Sequence, residues 1–309
     1  MIKAIKTIIR KSLQLFGFDI VPYRPEAAAV LPPQRRKVAA GEFDLEMYLQ
    51  LFGEQAVREK AFYNIGAAGF YHPAWRNVDK LSDWYDGIQD REEVLDWDIM
   101  ALAPLPVVGN SAEIVYSSYT LEHVPDEGGL HVLREAYRIL KPGGVLRVIV
   151  PDIEIYYRAL RAADRLFFAK PRRTLPEEYE RVSYNQDPNQ ASLQQNFLWQ
   201  FASSASIMHM DGAPERISDD EFERIFAELP FAKALDYCRS RTSWEVQQRH
   251  PGNHINWFSA DKLLQMFSQA GFESPYRSGY EQSISPVLRN TRFFDQRSPK
   301  EGLFIEALK

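Results

Sequence analysis

The sequence predicts an α/β fold built on a mostly parallel sheet, and three observations carry that expectation. Residues 113–117 and 145–150 are apolar, β-branched runs, the composition of strands buried on both faces. Between them, Leu130, Leu133, Ala136, Tyr137 and Leu140 recur at helical spacing, which gives one apolar helical face. Lys141-Pro142-Gly143-Gly144 then stops the helix, because proline cannot continue it and glycine tolerates left-handed dihedrals. The stretch reads as a βαβ unit. In open sheets of this kind the loops at the carboxyl ends of the strands face the ligand.

The other elements follow the same logic. A helix is expected over residues 44–52. Residues 61–66, 75–79 and 93–97 read as the first three strands, which makes 113–117 the fourth and 145–150 the fifth. A helical insertion follows over about 152–250. It holds an expected helix from 152 to about 169, a Gln/Asn-rich piece over 185–200 and a helix over 219–229. Ser218, with Glu221 three residues on, is a capping box at that last start. Ser259 caps another helix that ends before Gly271, and 272–282 and 302–308 read as the final strands.

The amino-terminal part differs in kind. Over residues 1–21, Ile2, Ile5, Ile9, Leu13 and Phe16 share one face at about 100° per residue, and Lys3, Lys6, Arg10 and Lys11 fall outside it. The charges interrupt the apolar run, so this is no secretory core. It is either a basic amphipathic helix for an anionic membrane surface or a helix docked on its own domain. Residues 22–40 hold four prolines and the cluster Arg35-Arg36-Lys37, the chemistry of a linker. The folded domain is expected over 41–309.

Composition narrows the function classes. The 309 residues are 45% hydrophobic and 26% charged, ordinary for a soluble globular protein. A net charge of −5 argues against broad binding to a nucleic-acid backbone, which needs clustered cations. Cys238 is the lone cysteine, so an internal disulfide and a multi-cysteine metal site are excluded, and a reducing compartment fits. No stretch approaches 18 uncharged apolar residues. The expected location is cytoplasmic, with peripheral contact at the inner membrane face as the option that residues 1–16 open.

Ser117-Ser118-Tyr119-Thr120-Leu121-Glu122-His123-Val124-Pro125, followed by the Leu-Lys-Pro-Gly-Gly turn at 140–144, resembles the class I S-adenosylmethionine-dependent methyltransferases. The likeness is to the subgroup whose fourth strand is followed by Leu-Glu-His. It implies a Rossmann-like seven-stranded sheet with an antiparallel last strand, S-adenosylmethionine as cofactor, and the helical insertion as a lid over the acceptor. Gly66, Ala67 and Gly69 stand where the family keeps its glycine-rich loop; Asn64 stands where an acidic residue is common, and the third glycine is absent. Asp79, at the end of strand two, is placed to accept from both ribose hydroxyls. Asp98 is placed by the adenine amino group with Ile99 against the ring, unless Asp98 is a helix cap. Asp96 competes for that role. Ser117 and Ser118 are expected at the methionine end.

The transfer itself demands little of the protein beyond orientation and exclusion of water. An acceptor that must lose a proton needs a base, and His123 is the first choice, with Glu122 beside it; both could instead fix the loop. His209 and His254 lie in short polar segments that are able to close over the cleft. A metal held by His123, His209 and His254 is not expected, since their spacing matches no tight ligand motif. Tyr156, Tyr157, Phe167, Phe168, Phe197, Trp199 and Phe201 make the insertion aromatic, which suits a core or a platform for sugar rings.

Methyl transfer to a small-molecule or saccharide-type acceptor is the favoured reading, with surface-glycan assembly suggested by the resemblance and the basic amino terminus. A scaffold that kept the fold and lost catalysis is the alternative. An NAD-dependent oxidoreductase is disfavoured, because Gly69 and Asp79 are too close for the crossover helix of a dinucleotide fingerprint.

Overall fold

Apolar, β-branched sequence places the strands at the centre of the molecule. In the computed structural model, which describes residues 43–83, 89–169, 183–212 and 214–309, seven strands form one sheet: β1 Phe62–Ile65, β2 Trp75–Asp79, β3 Val94–Asp96, β4 Ala112–Ser118, β5 Leu140–Pro151, β6 Tyr276–Arg277 and β7 Gly302–Leu308. Their order is β3-β2-β1-β4-β5-β7-β6. The first five pair in parallel, and β7 runs antiparallel to both β5 and β6. The expected helix and linker of residues 1–40 lie outside the described residues.

Helices cover both faces. On one face α2 (Asp126–Ile139) and α9 (Ala260–Ala270) pack Val132, Leu133, Ala136, Leu263 and Phe267 onto Ile65, Val115, Leu146 and Val148. On the other, α1 (Leu45–Arg58) and the turn at Pro286–Arg289 pack Tyr48, Val287 and Leu288 with Phe62, Trp75, Ile114 and Phe294. The insertion supplies α3 (Ile153–Arg161), α4 (Arg165–Phe168), α5 (Leu193–Trp199), α6 (Asp219–Glu228), α7 (Phe231–Ser240) and α8 (Trp244–Arg249). These helices bury Tyr156, Phe168, Phe197, Phe201 and Phe222 in a hydrophobic core of their own. Most of the insertion's aromatic side chains are therefore structural.

Four elements depart from expectation. The 44–52 helix extends to Arg58, and Gly53 kinks it with φ 81° and ψ 166°. The 152–169 helix breaks after Arg161, where Ala163 sits at φ 52° before Asp164 caps a new turn. The fifth strand is longer than expected: it starts at Leu140, and the Lys-Pro-Gly-Gly segment bulges out of its ladder with β4. The strand expected over 272–282 shrinks to Tyr276–Arg277: Ser278 N still donates to Phe304 O of β7, and beyond it the Gly279 carbonyl turns in to accept from the buried Arg147. Ser218 accepts from the Glu221 N–H, the N-cap half of the expected capping box, while Glu221 Oε1 accepts from the Tyr237 hydroxyl.

The Arg147 guanidinium, fully buried on β5, is neutralised by the two carboxylate oxygens of Asp295 and by Glu306 of β7. A buried cation tolerates that position only with such pairing. The network ties the edge of the sheet to the 278–295 segment.

Candidate active site

The loop after β1 is shaped by the strands around it. Gly66 N and Ala67 N both donate to Val78 O of β2 (2.8 and 3.4 Å), which folds the chain back over the sheet edge. Gly66 holds φ +73°, and a Cβ there would lie 2.0 Å from Thr120 Oγ1. The close approach that requires glycine is thus to the β4 loop itself. Ala68 follows at φ +45°, a left-handed conformation that a non-glycine residue rarely adopts. Its N–H donates to Asp79 Oδ2 at 2.8 Å. Gly69 is exposed at the loop's rim. Only residues 66–74 separate β1 from parallel β2, and they contain no helix.

Asp79 receives a second N–H, from Lys80, on Oδ1 at 2.8 Å. Burial raises its pKa while these bonds oppose the rise. Asp98 caps the turn Ile99–Ala101 by accepting from Met100 N, and its other oxygen pairs with Lys80 Nζ at 2.7 Å. Asp96, the competing candidate, accepts from Leu81 N at 2.9 Å. Ile99 reaches α2, where its Cγ2 lies 3.4 Å from where a Cβ on Gly128 would stand.

At the end of β4, Ser117 is buried, and its hydroxyl has no hydrogen-bond partner among the described residues. Ser118 is half-buried beside it. A buried orphan hydroxyl is unfavourable unless a ligand or water completes it. It sits in the strand next to the glycine loop, where the methionine end of the cofactor is expected. The residues present therefore fit S-adenosylmethionine: the 66–69 loop, the Asp79 carboxylate and Ser117 lie together at the carboxyl ends of adjacent β1, β2 and β4.

Beyond Ser118 the chain turns sharply. Tyr119 takes φ +54°, a strained value for an aromatic residue, and its hydroxyl donates to Ser298 O. Leu121–His123 form a single 3-10 turn. Glu122 is fully buried, and neither carboxylate oxygen has a hydrogen-bond partner among the described residues. Burial pushes its pKa up to about 8, opposed first by its own backbone N–H and then by the Arg297 charge. Burial pushes His123 the other way, down to about 4. Glu122 Oε1 lies 4.0 Å from His123 Nε2 and 4.0 Å from His254 Nε2.

His254 arrives from far along the chain. Its segment is stitched to the 121–126 loop by Ile255 N and Asn256 N, which donate to Glu122 O (2.8 and 3.2 Å). Asn256 Nδ2 donates to Val124 O, and Gln247 Nε2 donates to His123 O and Asn253 O. His209 does not join the group. Its Nδ1 accepts from Asp211 N and its Nε2 bonds Asn253 Oδ1 at 3.1 Å, while its ring stacks on Trp199. The four candidate acid–base residues thus divide: Glu122, His123 and His254 converge, and His209 stands behind them through Asn253. Sequence reading missed Thr120, Gln247, Asn253, Asn256 and Arg297. Only Asn253 and Asn256 carried a signal, as polar neighbours of His254.

A cleft of about 540 Å³ opens beside this cluster, between the sheet's carboxyl edge and the insertion. Met100, Pro125, Asp126, Arg239, Trp244 and Ile255 line it.

A family model described as a methyltransferase domain matches residues 6–274, and the chain belongs to that family, the S-adenosylmethionine-dependent methyltransferases of class I. Its cofactor is S-adenosylmethionine. Among curated proteins the chain is similar to the ubiquinone/menaquinone biosynthesis C-methyltransferase UbiE of Desulfotalea psychrophila. The two are 34% identical over 74 residues, 21% of this chain and 29% of that protein. The chain thus spans less than a third of that relative's length. Among solved structures it is similar to an S-adenosylmethionine-dependent methyltransferase from Thermotoga maritima, with 15% identity and a TM-score of 0.35 over 87% of this chain and 95% of that one. It is also similar to one from Mesorhizobium loti, with 12% identity and a TM-score of 0.37 over 80% of this chain and 90% of that one.

Proposed function

We propose that this chain transfers the S-adenosylmethionine methyl group to a small-molecule acceptor bound in the cleft between sheet edge and insertion. The observation that carries the reading is the placement of that cleft. It lies against the turn after Asp98 on one side and beside the Glu122, His123 and His254 cluster on the other. Its volume suits one drug-sized molecule. Asp79 would hold the ribose, and Ser117 and Ser118 the methionine end; Ile99 would pack on the adenine, with Asp98 reaching its amino group only through the oxygen that now pairs with Lys80, since the other caps the turn. The cofactor supplies an activated methyl on sulfur; the chain's part is to orient the acceptor in line and keep water out.

His123 is the base we assign to an acceptor that must lose a proton. Its Nδ1 bonds the Asn253 carbonyl at 2.8 Å, so that nitrogen carries hydrogen and Nε2 carries the lone pair. The saccharide-type acceptor, and a place in surface-glycan assembly, are the finer reading. They are favoured by Trp244, half-exposed on the cleft wall, where a flat ring can lie against a sugar face. Peripheral contact with the inner membrane face through residues 1–16 belongs to the same reading.

Incubation of the full chain with methyl-labelled S-adenosylmethionine and fractionated cell extract tests the proposal. Label should move to a small-molecule fraction. Calorimetry with S-adenosylhomocysteine and NAD separates the alternatives. An inactive scaffold leaves every fraction unlabelled, and an oxidoreductase binds NAD.

A further inference from the structure

We propose that Glu122, His123 and His254 form a binding site for a divalent first-row transition-metal ion of the zinc type, beside the cleft and behind its Ile255 wall. One ligand atom from each residue lies within 4.8 Å of the others. The donor set is one carboxylate and two imidazoles, the set of several open zinc sites. Imidazole donors favour such ions over magnesium or calcium, which prefer oxygen alone.

The tautomers suit ligation. His123 Nδ1 is 2.8 Å from Asn253 O, and His254 Nδ1 is 2.9 Å from Gln200 O. A carbonyl only accepts, so both Nδ1 atoms carry hydrogen and both Nε2 atoms present lone pairs toward Glu122. Metal-ligating histidines are held in this way by a carbonyl behind them. The two roles of His123 Nε2 are exclusive: it can take an acceptor proton only in the metal-free protein.

The carboxylate is the second, independent observation. It is sealed from solvent, and both its oxygens are orphaned among the described residues. A gap of 4.0 Å to each Nε2 is too long for a hydrogen bond, so the three groups are not satisfying one another. Ligands about 2.0–2.1 Å from a tetrahedral ion stand about 3.4 Å apart. Side-chain rotations that close the two 4.0 Å gaps by roughly 0.6 Å, and the imidazole pair, within 4.8 Å, by at most about 1.4 Å, would complete the site. The backbone beneath is fixed by the Ile255, Asn256 and Gln247 bonds. The imidazole side chains remain 24% and 21% exposed, which leaves open coordination positions on the solvent side for water or an acceptor oxygen. The Arg297 charge acts on Glu122 and His123 and works against a cation, so the affinity should be moderate.

The test uses tag-free full-length protein stripped with a chelator. Cobalt(II) is titrated against its visible absorption, and zinc(II) against heat. We expect one equivalent of either ion to bind. Glu122→Gln and His254→Gln should each weaken binding at least tenfold, while His131→Gln, half-buried on α2 against Trp97 and outside the cluster, should leave it unchanged. Thermal melts confirm that each variant is folded. Should Glu122→Gln fail to fold, His254→Gln decides. Wild-type protein that takes up no stoichiometric metal overturns the proposal, as do folded variants that bind it undiminished. S-adenosylhomocysteine binding is measured on the same samples. Its failure in wild type would count against the methyltransferase reading and leave the metal result standing on its own.

Discussion

Each oxygen of the Asp79 carboxylate accepts a backbone N–H, from Ala68 and from Lys80, and each keeps a lone pair for a ribose hydroxyl. Asp79→Asn preserves shape and removes the charge. Loss of a charged acceptor costs about 1.5–3 kcal/mol, so S-adenosylhomocysteine affinity should fall roughly 10- to 100-fold by calorimetry. Free methionine should bind as before; an equal loss for both ligands would trace the effect to the loop and not the ribose. His72 gives a second residue-level test. It accepts from Ala74 N on Nδ1 and bonds Phe43 O on Nε2, a neutral tautomer. Burial pushes its pKa down to about 4. The unfolded chain therefore takes the proton first, and stability present above pH 6.5 is lost as pH falls toward 4. The full loss is on the order of 3 kcal/mol. Melts from pH 7 to 4.5 should fall steeply for wild type and less steeply for His72→Gln; parallel slopes would sink this assignment. Residue roles of this kind were only partly legible in sequence. Asp79 could be placed from its position after a strand, but the partnership of Glu122 with His254 joins residues brought together by folding alone.

At the scale of elements, the glycine loop shows why a motif and its reason can differ. Gly66 reads in sequence as a gap for the cofactor, whereas a Cβ there meets Thr120 Oγ1, Cγ2 and Cβ at 2.0–2.7 Å, with φ at +73°. Gly66→Ala should therefore destabilise the fold itself. The left-handed φ alone costs about 1 kcal/mol, and the overlap adds to it. A loss of about 4 °C or more in melting temperature is expected. Gly66→Ala with Thr120→Gly should recover part of it. A Gly66→Ala protein that melts like wild type would show that the loop can shift to make room. The strands were legible because burial on both faces leaves an apolar, β-branched signature, and β2 and β7 match their expected bounds. The failures have local causes. The break after Arg161 turns on Ala163 in a left-handed conformation, which composition does not signal. The shortened β6 turns on the buried Arg147 of β5: Ser278 N still donates to Phe304 O of β7, but the Gly279 carbonyl accepts from the guanidinium.

At the scale of the whole molecule, the insertion is anchored to the sheet by charge and by shared backbone bonds. Asp126, at the start of α2, pairs with Arg239 of α7 (2.6 Å) and with Lys262 of α9 (2.7 Å), so one carboxylate joins the insertion to the core. Among the described residues no helix is long and apolar enough to cross a membrane. The membrane contact proposed above is peripheral. The amino-terminal residues, outside the described part, are where sequence places that contact. With Ile2, Ile5, Ile9, Leu13 and Phe16 toward lipid and four cations toward headgroups, binding would combine apolar burial with about 1 kcal/mol per basic residue near an anionic surface. Full-length protein should then sediment with vesicles rich in anionic lipid and far less with neutral ones. Salt at 1 M should release it, since the Debye length shrinks to about 3 Å. A chain starting at Gly41 should stay in the supernatant and still bind S-adenosylhomocysteine, because every cofactor residue named lies beyond it. If that segment instead covers its own domain, neither protein will sediment, and the shortened one will melt earlier because an apolar face has lost its cover.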